Sequence, residues 1–121
     1  MEFKAILKTL VQQCNGALGG VIMGYDGIAI DEYLTDSVGL DVQTLAIEYA
    51  SVLKEIKRTV GVLRTGELEE VSIISELCSV IVRGVSDEFF VALVLAADGN
   101  FGKARYVLRV TAPRLRSELE L

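Results

Sequence analysis

The run Phe89-Phe90-Val91-Ala92-Leu93-Val94-Leu95-Ala96-Ala97 constrains this chain more than any other feature. It carries no charge, and it is only about half the ~20 residues that a membrane-crossing helix needs. It is also rich in the branched and aromatic side chains that favour strands. A strand that is apolar on both faces must be covered on both, so this segment predicts the centre of a sheet. Two further strands lead into it, about Leu68 to Ser75 and Cys78 to Val85, joined by the tight links Glu76-Leu77 and Ser86-Asp87. Short links of this kind predict an antiparallel meander. Glu69 and Glu70 lie in the first of these strands, and charge there predicts an edge protected from stray pairing.

The first part of the chain reads as a helix followed by a hairpin. Phe3, Leu7, Leu10 and Cys14, joined by Ile6 and Val11, follow the three-to-four spacing of one buried stripe. Gly16 stands where a left-handed residue would end that helix. Leu18 to Tyr25 and Ile28 to Tyr33 alternate like strands on either side of Asp26-Gly27. That pair predicts a two-residue turn with positive φ at both positions. A polar break, Thr35-Asp36-Ser37, then leads to a long second helix from about Asp41, a carboxylate suited to cap it, to Leu63.

The second helix is apolar over too much of its circumference to serve one sheet. Val42, Leu45, Ala46, Tyr49, Val52, Leu53, Ile56, Val60 and Leu63 form its band, widened by Ile47 and Ala50. Such a helix needs neighbours on two sides, and in 121 residues the second neighbour is expected from another molecule. Ala46 and Ala50, small residues one turn apart, have two readings: they let the domain's own sheet approach closely, or they form a seam for a twin subunit or partner. After the strands, Asp98-Gly99-Asn100-Phe101-Gly102 leads to a third helix from about Lys103, with Ala104, Leu108, Ala112, Leu115 and Leu119 as its stripe. Pro113 lies inside it and predicts a kink or break. The order α-β-β-α-β-β-β-α gives one α+β domain over residues 1–121, with a single antiparallel sheet between helices.

Composition excludes most chemistry. Histidine is absent, which removes His-based triads, Cys-His dyads, HExxH zinc sites and imidazole switches. Cys14 and Cys78 read as buried thiols in a reducing cytosol, consistent with an opening stretch that lacks a secretory signal. Gly99-Asn100-Phe101-Gly102-Lys103-Ala104 fails as a phosphate loop, because Ala97 replaces the first glycine and Ala104 lacks the metal-binding hydroxyl. Asp31/Glu32 and Glu69/Glu70 are strand neighbours that point to opposite faces. No catalytic residue, cofactor or metal ligand is expected. Net charge is −5, so neither nucleic acid nor a membrane is an expected partner. Residues 102–121 nevertheless carry five basic and two acidic groups, leaving −8 for residues 1–101. A solvated helix face is the expectation there.

The chain resembles the Roadblock / dynein light chain family over nearly all its length. The resemblance rests on Gly16-Ala17-Leu18-Gly19-Gly20-Val21-Ile22-Met23 before Asp26-Gly27-Ile28-Ala29-Ile30, on the long second helix ending near Val60, and on Gly102-Lys103-Ala104-Arg105 leading to Ala112-Pro113-Arg114-Leu115. It implies a five-stranded antiparallel sheet with the first and third helices on one face and the second on the other. It also implies a homodimer in which second helices pack together and edge strands join. Within the family the chain is most similar to bacterial MglB-type regulators of a small Ras-like GTPase in polarity and motility, which activate hydrolysis without an arginine finger. By position, Ala46, Ala50, Lys54 and Lys57 are then the expected GTPase-docking residues. Tyr49, Leu53, Leu68, Val71 and Ile73 are the expected dimer contacts. MglB-type proteins often carry a C-terminal extension that touches the GTPase, and an exchange-promoting role that needs it is not expected of a chain ending at Leu121. The competing reading is a scaffold or adaptor dimer; a small-ligand sensor would need a cavity for which the close-packed strands give no sign.

Overall fold

A computed structural model describes residues 2–35 and 40–120. In chain order the elements are α1 (Phe3–Gln12), β1 (Ala17–Gly24), β2 (Ala29–Leu34), α2 (Val42–Leu63), β3 (Glu70–Ile74), β4 (Cys78–Gly84), β5 (Phe89–Ala96) and α3 (Phe101–Leu119). All neighbouring strands are antiparallel, in the order β2-β1-β5-β4-β3. The apolar run is thus the middle strand, as its two-faced pattern requires. Val91, Leu93 and Leu95 face α1 and α3, in a core with Leu7, Leu10, Leu108 and Leu115. Phe90, Ala92 and Val94 face the opposite way, in a second core with Val42, Ala46, Ala50 and Leu53 of α2. The result is a three-layer α+β sandwich.

Local chemistry explains the boundaries. The α2 N-terminus is capped by Asp41, whose carboxylate accepts from the Thr44 N–H at 3.1 Å and the Thr44 hydroxyl at 2.7 Å. Those bonds hold the Asp41 carboxyl below the usual carboxylate range. Asn100 caps α3 in the same manner, accepting from the Lys103 N–H. Gly16 takes φ +86°, and a Cβ there would come within 2.7 Å of the Gly99 Cα, so both backbone and space call for glycine.

Three local expectations change. The β1–β2 connection has positive φ at Gly27 alone, +88°. Gly27 N–H donates to the Gly24 carbonyl and Gly24 N–H to the Ile28 carbonyl, which makes a three-residue loop ending in a left-handed glycine. This is the alternative by which Asp-Gly closes a hairpin without straining Asp26. Second, α3 passes through Pro113 unbroken. Pro113 and Arg109 are both exposed, so the Arg109 carbonyl that loses its helical donor faces water. Third, β3 is shorter than expected, Glu69 lying just before it. Asp36 and Ser37 of the expected polar break lie outside the described residues.

Candidate functional site

The second helix presents three different flanks. Ala46, Ala50 and Leu53 point into the sheet and are buried, Leu53 completely. Ala46 and Ala50 therefore serve the first of their two readings: they let α2 lie close on its own sheet, and they offer no surface to another protein. Leu53 is likewise a core residue rather than an interface contact. On a second flank, Gln43 donates a hydrogen bond to Glu32 of β2. Lys54, Lys57, Arg58 and Gly61 lie further along that side, where they line a cavity of about 580 Å³ with Tyr25, Asp26, Asp87 and Glu88. This flank faces the β1–β2 hairpin.

The opposite flank turns toward β4 and β3. It carries Leu45, Tyr49, Val52, Ile56 and Leu63, a four-three-four spacing in which Thr59 takes the remaining place. That is the pattern of a helix seam. Leu45, Tyr49 and Ile56 are half-buried, while Val52 and Leu63 remain 49% and 65% exposed. Beyond them, Val71 and Ile73 of β3 pack on the same core but stay half-exposed. Together they leave a partly exposed apolar strip along α2 and β3. Sequence analysis set Val52, Ile56 and Leu63 in the apolar band of the second helix but named only Tyr49 from this flank, with Val71 and Ile73, among the expected dimer contacts; the four-three-four spacing was the available signal that groups them. Leu68 sits elsewhere, on a cavity of about 330 Å³ with Tyr25, Lys57, Arg83 and Arg116.

The two rims of the sheet differ in their backbone. At β2, the Thr35 N–H bonds the Leu18 carbonyl, so the alternating antiparallel pattern turns the backbone groups of Glu32 and Leu34 outward. Those of Glu32 are occupied from within the chain: Asp31 accepts from the Glu32 N–H at 2.8 Å, and Lys4 donates to the Glu32 carbonyl at 2.8 Å. Lys4 also lies 3.3 Å from the Asp31 carboxylate. At β3, the Ser75–Cys78 and Gly84–Glu69 bonds fix the pattern that turns Glu70, Ser72 and Ile74 outward. Among the described residues no side chain bonds their backbone groups. The Glu70 side chain is engaged instead with Arg105, at 2.7 and 2.9 Å, and more loosely with Arg83 at 3.9 Å. That contact raises the Arg105 pKa.

On the hairpin flank, Lys57 donates to Asp87 at 2.8 Å and lies 5.6 Å from the centre of the Tyr25 ring. The Lys57 hydrogen bond, and then its charge, hold the Asp87 carboxyl below its ordinary range. Burial, with the Asp87 charge adding to it, pushes the Tyr25 hydroxyl up. The described residues contain no metal-ligand cluster and no helix long and apolar enough to cross a membrane.

The whole chain is similar to several solved structures. MglC from Myxococcus xanthus is 45% identical, with 98% of this chain and 99% of that one covered and a TM-score of 0.73. A Roadblock/LC7 domain from Streptomyces avermitilis is 15% identical, covered 100% on both sides, with a TM-score of 0.82. Myxococcus xanthus MglB is 15% identical over 99% of this chain and 98% of that one, with a TM-score of 0.83; at this identity the likeness is one of fold. No protein-family model and no curated protein matches the chain.

Proposed function

Because this chain belongs to the Roadblock / dynein light chain family, we propose that it works as a cytoplasmic homodimer that regulates a small Ras-like GTPase without catalytic residues of its own. The observation that carries this reading is the partly exposed apolar strip of Tyr49, Val52, Ile56, Leu63, Val71 and Ile73, beside a β3 edge whose outward backbone groups meet no side-chain partner among the described residues. A second copy, related by a two-fold axis, would lay its own α2 on the strip and its own β3 along the edge. Apolar burial and backbone bonds would then be satisfied by one event.

The dimer would present a rigid surface to the GTPase and hold the GTPase's own catalytic groups in position. Positioning and electrostatics supply most of the catalysis in phosphoryl transfer, so activation needs no residue from the regulator in the reaction. Of the four docking residues expected from position, Lys54 and Lys57 remain in this proposal, on the hairpin flank. Ala46 and Ala50 do not, being buried.

A second reading, a scaffold or adaptor dimer that leaves hydrolysis unchanged, has its own support. The 45% identity is to MglC, whereas the likeness to MglB is one of fold, and Lys57 is already engaged by Asp87. Adding the chain to a Ras-like GTPase from the same organism and following single-turnover GTP hydrolysis separates the two. Complex formation with acceleration supports the activator, and a complex without it supports the adaptor. A monomeric chain that forms no complex overturns both.

A further inference from the structure

The basic third helix plays no part in that proposal, since α3 lies on the opposite face of the sheet from α2. We propose that the solvent face of α3 docks an acidic amphipathic helix of a partner protein, apolar residues over Tyr106 and Val110 and carboxylates on Lys103, Arg109 and Arg114. From Phe101 to Ser117 every charged residue is basic. Lys103, Arg109 and Arg114 are exposed and, among the described residues, have no carboxylate within 4.0 Å. The Arg109 guanidinium lies 5.6 Å from the centre of the Tyr106 ring, within cation–π range.

A merely solvated face mixes its signs, and this one does not: Tyr106 and Val110, one turn apart, are 56% and 51% exposed within a field of a single sign. Lys103, Tyr106, Val110 and Arg114 fall at the three-to-four spacing that a helical partner reads. The neighbouring groove, about 380 Å³ between α3 and the β3 rim, already holds one carboxylate against guanidinium groups, that of Glu70 on Arg105 and Arg83. A second copy is a poor occupant, because α1 carries Lys4 and Lys8 with no acid, and α2 mixes Lys54 and Arg58 with Glu48 and Glu55. A phosphate array, as on a nucleic acid or anionic lipid, would meet Glu69 on one side and Glu118 and Glu120 at the helix end.

The test is fluorescence anisotropy with a labelled glutamate peptide of about 18 residues, long enough to hold a helix, bearing leucines at helical spacing. Binding to the native chain should weaken as salt rises. The Lys103→Glu/Arg109→Glu/Arg114→Glu variant should lose about tenfold or more in affinity, and Arg109→Gln alone about threefold. Tyr106→Ala should weaken binding, as should scrambling the leucines, while Arg58→Glu on α2 should change nothing. Circular dichroism checks that each variant is folded. The proposal is overturned if the native chain ignores the peptide, if the folded triple variant binds it equally, or if phosphatidylserine vesicles or duplex DNA bind where the peptide does not. A salt-dependent doubling of mass abolished by the triple variant, without peptide binding, would assign the face to self-association and overturn it as well.

Discussion

Replacing Val52 by aspartate should convert the proposed dimer into a monomer without unfolding it. Fully burying a valine side chain is worth about 1.5–3 kcal/mol. Val52 keeps 49% of its surface exposed in the protomer, so a partner covering the rest gains about 1 kcal/mol in each subunit. In a two-fold interface the loss counts twice, about 2 kcal/mol, or roughly thirtyfold in Kd. The aspartate adds a carboxylate that must leave water, at least about 1–3 kcal/mol for each copy. The sum weakens association about a thousandfold or more. Because the side chain is half-exposed in the protomer, the fold itself should tolerate the change. Light scattering on samples at micromolar concentration should return twice the 13.2 kDa chain mass for the native protein and 13.2 kDa for the variant. Ile28→Asp, at a hairpin residue 69% exposed and away from the apolar strip, is the control that should stay dimeric. If Val52→Asp keeps the doubled mass, the seam is misplaced; if the native chain is monomeric, the dimer reading itself fails.

Other outcomes follow from particular contacts. Leu53→Ala empties a fully buried site and should cost about 3 kcal/mol, lowering Tm by about 10 °C; a loss too small to resolve would contradict its place in the core. Ala50→Arg should destabilise the whole domain in a thermal melt, because it drives a charge between helix and sheet. Selective loss of partner binding with an unchanged Tm would restore Ala50 as a surface residue. The Asp87 carboxyl sits below its ordinary range because of Lys57, so the unfolded chain binds that proton more tightly. The stability it contributes is present above about pH 4 and is lost as pH falls through the lower folded value. Urea midpoints at neutral and strongly acidic pH should therefore differ less in Asp87→Asn than in the native chain. Burial pushes the Cys14 thiol up, with the Lys103 charge opposing it, so a thiol reagent at mildly alkaline pH should react only after unfolding.

The architecture could be read because its signals are local and repetitive. The two-faced pattern of Phe89 to Ala97 gave the central strand, and the carboxylates at Glu69 and Glu70 marked the rim. The width of the second helix announced a surplus apolar flank, but composition could not say which residues formed it. Ala46 and Ala50 illustrate the difficulty: small residues permit close approach equally well to one's own sheet or to a stranger's helix. Only the rotational phase of α2, set where Gln43 meets Glu32 and Leu53 enters the core, assigns each side chain to sheet, hairpin flank or exposed apolar strip. The unequal rims were illegible for another reason. They depend on which backbone groups point outward and on Lys4, separated from Glu32 by most of α1 and the whole hairpin, reaching its carbonyl.

Those unequal rims bear on stoichiometry. Growth by strand addition needs a vacant margin at each end, and here Lys4 and Asp31 take up the Glu32 backbone groups in the one at β2. If two copies join β3 to β3, the merged sheet terminates on both sides in this part-filled margin, where a third copy finds fewer groups to pair with. The preference for a pair over a longer stack would then be written into a lysine at the start of the first helix rather than into the contact that makes the pair.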